Sequence, residues 1–79
     1  MSRSNEIADS VFRTLDQYFR DLDGERPAAI YDMVIRNVER PMLEFVLQQA
    51  KGNQTVAADM LGINRNTLRK KMREHGLSE

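Results

Sequence analysis

The side chains of this 79-residue chain that could do chemistry are mainly its cations, and they are unevenly placed. Between Asn64 and Arg73 stand Arg65, Arg69, Lys70, Lys71 and Arg73, with no acid among them. Asn64, Asn66 and Thr67 add short hydrogen-bonding groups at the start of the same run. Guanidinium and ammonium groups bind phosphate, and a guanidinium also offers paired donors that fit O6 and N7 of guanine. This is the chemistry of recognition rather than of bond-making.

Nothing else in the chain suggests catalysis. The single histidine, His75, falls in a last helical turn, where an imidazolium would interact favourably with the helix carbonyl ends. It has no cysteine or second histidine with which to share a metal, and the nearby acids Glu74 and Glu79 are expected to be exposed. Ser10 and the terminal serines have no histidine base in the same element, and the glycines are isolated rather than gathered into a phosphate loop. Met33, Met42, Met60 and Met72 fall on apolar faces and are expected in the core. No metal, cofactor or enzymatic activity is expected.

Two short helical patterns must hold the cations. Gln54 to Leu61 places Ala57, Ala58, Met60 and Leu61 on one apolar face of a helix too short to be stable alone. Gly62 follows where a positive φ ends the helix, Ile63 fills the corner, and Asn64 caps a second helix that buries Leu68 and Met72. A small alanine at the crossing, a glycine turn and a second helix with its N-terminal residues directed at base edges make a helix-turn-helix. Lys71 departs from the pattern, at a position that is often apolar. The bland alternative is a solvated helical hairpin with a basic surface.

The charge distribution agrees with a nucleic-acid partner although the total does not. There are 12 Lys and Arg against 12 Asp and Glu. Residues 1 to 50 hold six basic against nine acidic side chains, and residues 51 to 79 hold six against three, so the balances are minus three and plus three. An acidic body with a basic end presents a local field that attracts phosphate. No stretch approaches the roughly 20 apolar residues of a membrane span, and the N-terminus has no apolar signal core, so a soluble cytoplasmic protein without a membrane partner is expected.

At this length the chain is expected to form a single domain, 1–79, that buries only about 60% of its unfolded surface. The absence of cysteine removes disulfides as reinforcement, which leaves oligomerisation. A first helix, capped by Ser4 or Asn5, carries Ile7, Val11, Leu15, Phe19 and Leu22 on one stripe and ends at Asp23-Gly24; Met1 to Ser4 before it are expected to fray. A second runs from about Pro27, at its first position, to Ala50, and is apolar on most sides: Ile30, Tyr31, Met33, Val34, Ile35, Val38, Met42, Leu43, Phe45, Val46 and Leu47. One helix cannot cover such a surface, but a second copy of the chain can. Pro41 predicts a kink rather than a break, with two separate helices as the alternative. Gly52 is expected at C′ and Asn53 at the following N-cap, while His75-Gly76 ends the last helix and Leu77 folds back. The fold class is all-α: helices over 5–50 for dimerisation and a helix-turn-helix over 52–76.

Over residues 9 to 77 the chain resembles the Fis family, the factor for inversion stimulation, of bacterial nucleoid-associated proteins. The stretches GNQTVAADMLGINRNTLRKKM, NVERPMLEFVL and DSVFRTLDQYF carry the resemblance. It implies a homodimer of four-helix subunits whose first two helices interlock. The two recognition helices then stand closer than one turn of B-DNA, so the duplex bends and its central minor groove narrows. By the same resemblance Asn64 and Arg65 touch base edges. Thr67, Arg69, Lys70 and Lys71, with the neighbouring cation Arg73, meet phosphates of double-stranded DNA in the nucleoid, and Asn53, Gln54 and Thr55 grip another. Gln48, Lys51, Gly52 and Gln54 match a corner that contacts RNA polymerase in some members. Members that stimulate inversion carry an N-terminal β-hairpin arm; only a handful of residues precede the first helix here, so that activity is not expected. Val56 and Glu74 stand where other members are often basic, which implies weaker hold on flanking DNA.

The C-terminal half alone also resembles the DNA-binding module of sigma-54 enhancer-binding activators, an alternative that Met1 and the complete first helix disfavour. A third reading, from another class, is a dimeric protein-interaction module in which DNA binding is secondary.

Overall fold

The structure, a computed structural model, describes residues 5 to 77. It contains α1 (Glu6–Leu22), α2 (Ile30–Gln49), α3 (Gln54–Leu61) and α4 (Arg65–Glu74), with no strand among the described residues. The expected fraying of Met1 to Ser4, a cap by Ser4 and the exposure of Glu79 lie outside the described residues. Two compact units divide between Val34 and Ile35.

The first unit holds α1. Asn5 caps it, its side-chain oxygen accepting from the Ala8 N–H at 2.7 Å, with Glu6 and Asp9 suited to the positive end of the helix dipole. The helix stops at Asp23, whose φ of 51° is left-handed. Its polar face carries Asp16–Arg20 at 3.0 Å and Gln17–Asp21 at 2.9 Å, exposed pairs that contribute little. Its apolar stripe is only partly covered: no residue of α1 is buried, Val11, Leu15 and Leu22 are half-buried, and Ile7 is 70% exposed.

The expected start of the second helix at Pro27 is corrected. Pro27 lies in an irregular segment, and α2 begins at Ile30. Ala29 has φ 54°, a left-handed conformation through which a right-handed helix does not pass, and the Tyr18 hydroxyl lies 3.4 Å from the Ala28 N–H. The helix then runs unbroken through Pro41, so two separate helices are excluded.

The second unit is organised on Leu43, Ala50, Ala57, Ala58, Leu68 and Met72, with Val46, Leu47, Leu61, Ile63 and Leu77 packed around them. Leu43, Val46 and Leu47 form the inner stripe of α2, continued by Ala50 just past its end. Tyr31, Ile35, Val38, Met42 and Phe45, spaced four and three residues apart in turn, form a second stripe along the helix that stays exposed. Met42 and Met60, expected in the core, are 46% and 56% exposed, because each falls off the face its helix buries; Met72 is buried as expected. The inward face of α3 is therefore Ala57, Ala58 and Leu61.

A second correction concerns the end of α2. Lys51 N–H donates to the Gln48 carbonyl and Gly52 N–H to the Leu47 carbonyl, the paired bonds that close a helix C-terminus around a left-handed residue. The residue at C′ is thus Lys51, at φ 55°, and Gly52 follows it at φ 80°.

Candidate nucleic-acid interface

Asn53 opens α3 with its side-chain oxygen accepting from the Val56 N–H at 3.1 Å. At the other end Gly62 N–H reaches Asp59 O and Ile63 N–H reaches Ala58 O, closing the helix around Gly62 at φ 76°. That reversal turns the chain into α4 within two residues, while Ala58, 3% exposed, keeps the neighbouring surface small. Ile63 packs against the core as expected. Asn64 caps α4, its side-chain oxygen accepting from the Asn66 N–H at 2.7 Å. Leu68 and Met72 anchor the inner face of α4, at 0% and 4% exposure, so the residues between them point elsewhere.

This packing decides where the expected DNA-contacting residues stand. Arg65, Thr67, Arg69, Lys70 and Arg73 are exposed on α4. Asn53 and Thr55 are exposed and Gln54 half-buried at the start of α3. The two groups meet where an Arg65 guanidinium N–H donates to the Thr55 hydroxyl at 3.4 Å, across the turn. Asn64 is exposed, with its oxygen occupied by the cap, so its amide N–H₂ is the part that can reach outward. Gln48, Lys51 and Gly52, the expected polymerase corner, are exposed around the end of α2, beside Gln54.

Lys71 stands apart from the other cations. Its Nζ lies 2.7 Å from Oε2 of Glu39 on α2, and its side chain is one-third exposed. The other oxygen of the same carboxylate is 2.8 Å from Nε2 of His75. The Arg40 guanidinium donates to the His75 backbone carbonyl. Hydrogen bonds from Lys71, and then from His75, hold the Glu39 carboxyl below its ordinary value of 4.5, with burial opposing them. The expected role of His75 is corrected here. Its backbone ends α4, the N–H donating to Lys71 O at 3.0 Å, but its ring is buried against a carboxylate rather than directed at carbonyl ends. Leu77 folds back as expected, its N–H reaching Met72 O at 2.7 Å.

Sequence reasoning missed this cluster. Its one signal was Lys71, polar where an apolar residue is common; Glu39 is one of three acids on its helix, with Asp32 and Glu44, and nothing set it apart. The partners are 32 and 36 residues apart, beyond any helical spacing rule. Among the described residues no group of acids and histidines could hold a metal ion, and no helix is long and apolar enough to cross a membrane.

Comparison with known proteins agrees with this geometry. A family model described as "Bacterial regulatory protein, Fis family" matches residues 34 to 75, which include α3, the turn and α4. A protein of Ralstonia nicotianae named as a Fis-like DNA-binding protein is 58% identical over 77 residues, covering 98% of this chain and 99% of its own length. A Neisseria meningitidis protein with the same name is 51% identical over 72 residues, covering 91% of each chain. A protein named DNA-binding protein Fis, from Actinobacillus succinogenes, is 50% identical over 72 residues, covering 91% of this chain and 73% of its own.

Proposed function

The chain belongs to the Fis family of bacterial regulatory proteins, and on that premise we propose that it binds double-stranded DNA as a homodimer, bends it and regulates transcription in the nucleoid. The observation that carries this reading is the pair of surfaces α4 and α2 leave uncovered. One is the cationic face of α4, anchored from behind by Leu68 and Met72. The other is the stripe Tyr31, Ile35, Val38, Met42 and Phe45, whose alternating spacing of four and three is that of a seam between two paired helices. A second copy of the chain supplies the same stripe, and a two-fold axis then presents two reading helices to one duplex.

Within each half-site Arg65 takes the base contact, through guanine O6 and N7, and Asn64 adds its amide. Thr67, Arg69, Lys70 and Arg73 hold phosphates along the groove, and Asn53, Gln54 and Thr55 hold another at the start of α3, where free N–H groups favour an anion. The Thr55 hydroxyl bond keeps Arg65 on the reading surface before DNA arrives. Gln48, Lys51, Gly52 and Gln54 form the corner open to RNA polymerase. A bend near Pro41, where the proline has no N–H for the helix ladder, sets the direction in which each subunit carries its reading helix. The reaction is binding alone, with no enzymatic step.

Gel shifts with Arg65→Ala and with Lys70→Ala test the assignment. Loss of Arg65 weakens specific sites by ~1–3 kcal/mol and relaxes the preference for guanine at one position of each half-site, whereas loss of Lys70 weakens all sequences alike. Equal loss on specific and random duplex with Arg65→Ala refutes the base contact.

A further inference from the structure

We propose that Glu39 is a positioning residue for DNA recognition: its carboxylate holds Lys71 and His75 against α2, so Lys71 seats the reading helix and leaves phosphate contact to its neighbours. This rests on the DNA-binding reading above and changes which cations perform it.

Each oxygen of Glu39 has its own donor, Lys71 Nζ at 2.7 Å on Oε2 and His75 Nε2 at 2.8 Å on Oε1. The three side chains grade inward, from 33% exposed at Lys71 through 14% at Glu39 to 3% at His75. Arg40, the next residue on α2, donates to the His75 carbonyl, so side chains and backbone at the end of α4 are both tied to α2. A lysine that left this carboxylate for a phosphate would strand a half-buried negative charge beside the negative duplex, a cost that exposed Arg69, Lys70 and Arg73 do not meet. The same contact explains why Lys71 tolerates a position that is often apolar: its stem packs inward and its charge is neutralised by α2.

The test is the slope of log affinity against log salt, because each lysine that neutralises a phosphate adds ~0.9 to it. The expected results for the full chain on a long duplex are as follows. Lys70→Gln flattens the slope by ~0.9 per subunit, and Lys71→Gln flattens it by well under half as much. Glu39→Gln, which turns an amide N–H₂ or a neutral oxygen toward Lys71, frees the ammonium and steepens the slope, and Lys71→Gln in that background removes the gain. Equal flattening by Lys70→Gln and Lys71→Gln overturns the proposal, and this comparison stands even where Glu39→Gln unfolds. An unchanged slope for folded Glu39→Gln also overturns it. A parent slope near zero rejects DNA binding itself and the inference with it, whereas a steep parent slope with equal lysine effects rejects the inference alone.

Discussion

Replacing Phe45 with alanine separates the fold of one subunit from its pairing. In the single chain Phe45 is 61% exposed and lies on the outward stripe of α2, away from Leu43, Val46, Leu47 and Ala50. Burying a phenylalanine fully stabilises by ~1.5–3 kcal/mol, so the portion still uncovered can contribute roughly 1–2 kcal/mol per subunit when a partner covers it. Two-fold symmetry counts the loss twice, roughly 2–4 kcal/mol per dimer. At about 1.4 kcal/mol per factor of ten, the dimer dissociation constant rises roughly 30- to 700-fold. Sedimentation equilibrium over a concentration series reads this directly, with helical circular dichroism as the check on folding. Affinity for DNA falls together with the dimer, since two reading helices must act on one duplex. A Phe45→Ala protein that sediments as the parent does at every concentration refutes the assignment of this stripe to the subunit interface.

Further outcomes follow from single features of the second unit. Gly62 and Lys51 share a left-handed backbone but differ in side chain, so substitutions act in opposite directions. Gly62→Ala meets no atom within 4 Å, so it costs only the backbone strain of φ 76°, about 1–2 kcal/mol, and lowers the melting temperature. Lys51→Gly relieves the corresponding strain at φ 55° and raises it, offset in part by glycine's greater freedom in the unfolded chain. The depressed carboxyl of Glu39 makes a contribution that is present above its ordinary value of 4.5 and is lost as pH falls through its lowered folded value. Chemical denaturation of Glu39→Gln and parent should therefore differ at neutral pH and converge as the solution is acidified below 4.5; a gap that persists in acid contradicts the linkage.

Local rules made both ends of α1 and α3, the start of α4 and the turn legible. Asn5, Asn53 and Asn64 each cap the helix that follows, and Gly62 ends α3, because capping depends on residues within a few positions of one another. Leu68 and Met72 were legible as anchors by their spacing of four. The misses share a cause. Pro27 satisfies the local preference for a first helical position, but Tyr18 and the left-handed Ala29 hold that segment out of the helix. Gly52 satisfies the preference for C′, yet the bond pattern puts Lys51 there. The Glu39 cluster joins residues that only the packing of α4 on α2 brings together, and no period in the sequence connects them. That Arg65, Arg69, Lys70 and Arg73 share one helix was legible from their run in the sequence, and the structure leaves them exposed; the contact of Lys71 with Glu39 was not legible.

The account turns on two copies of α4 acting together on a deformed duplex. A circular-permutation gel shift, with the site moved along a fragment of constant length and the bound chains counted, tests this most directly. The account predicts two chains per duplex and a mobility that falls as the site approaches the centre of the fragment. One chain per duplex, or a mobility indifferent to the position of the site, would contradict it.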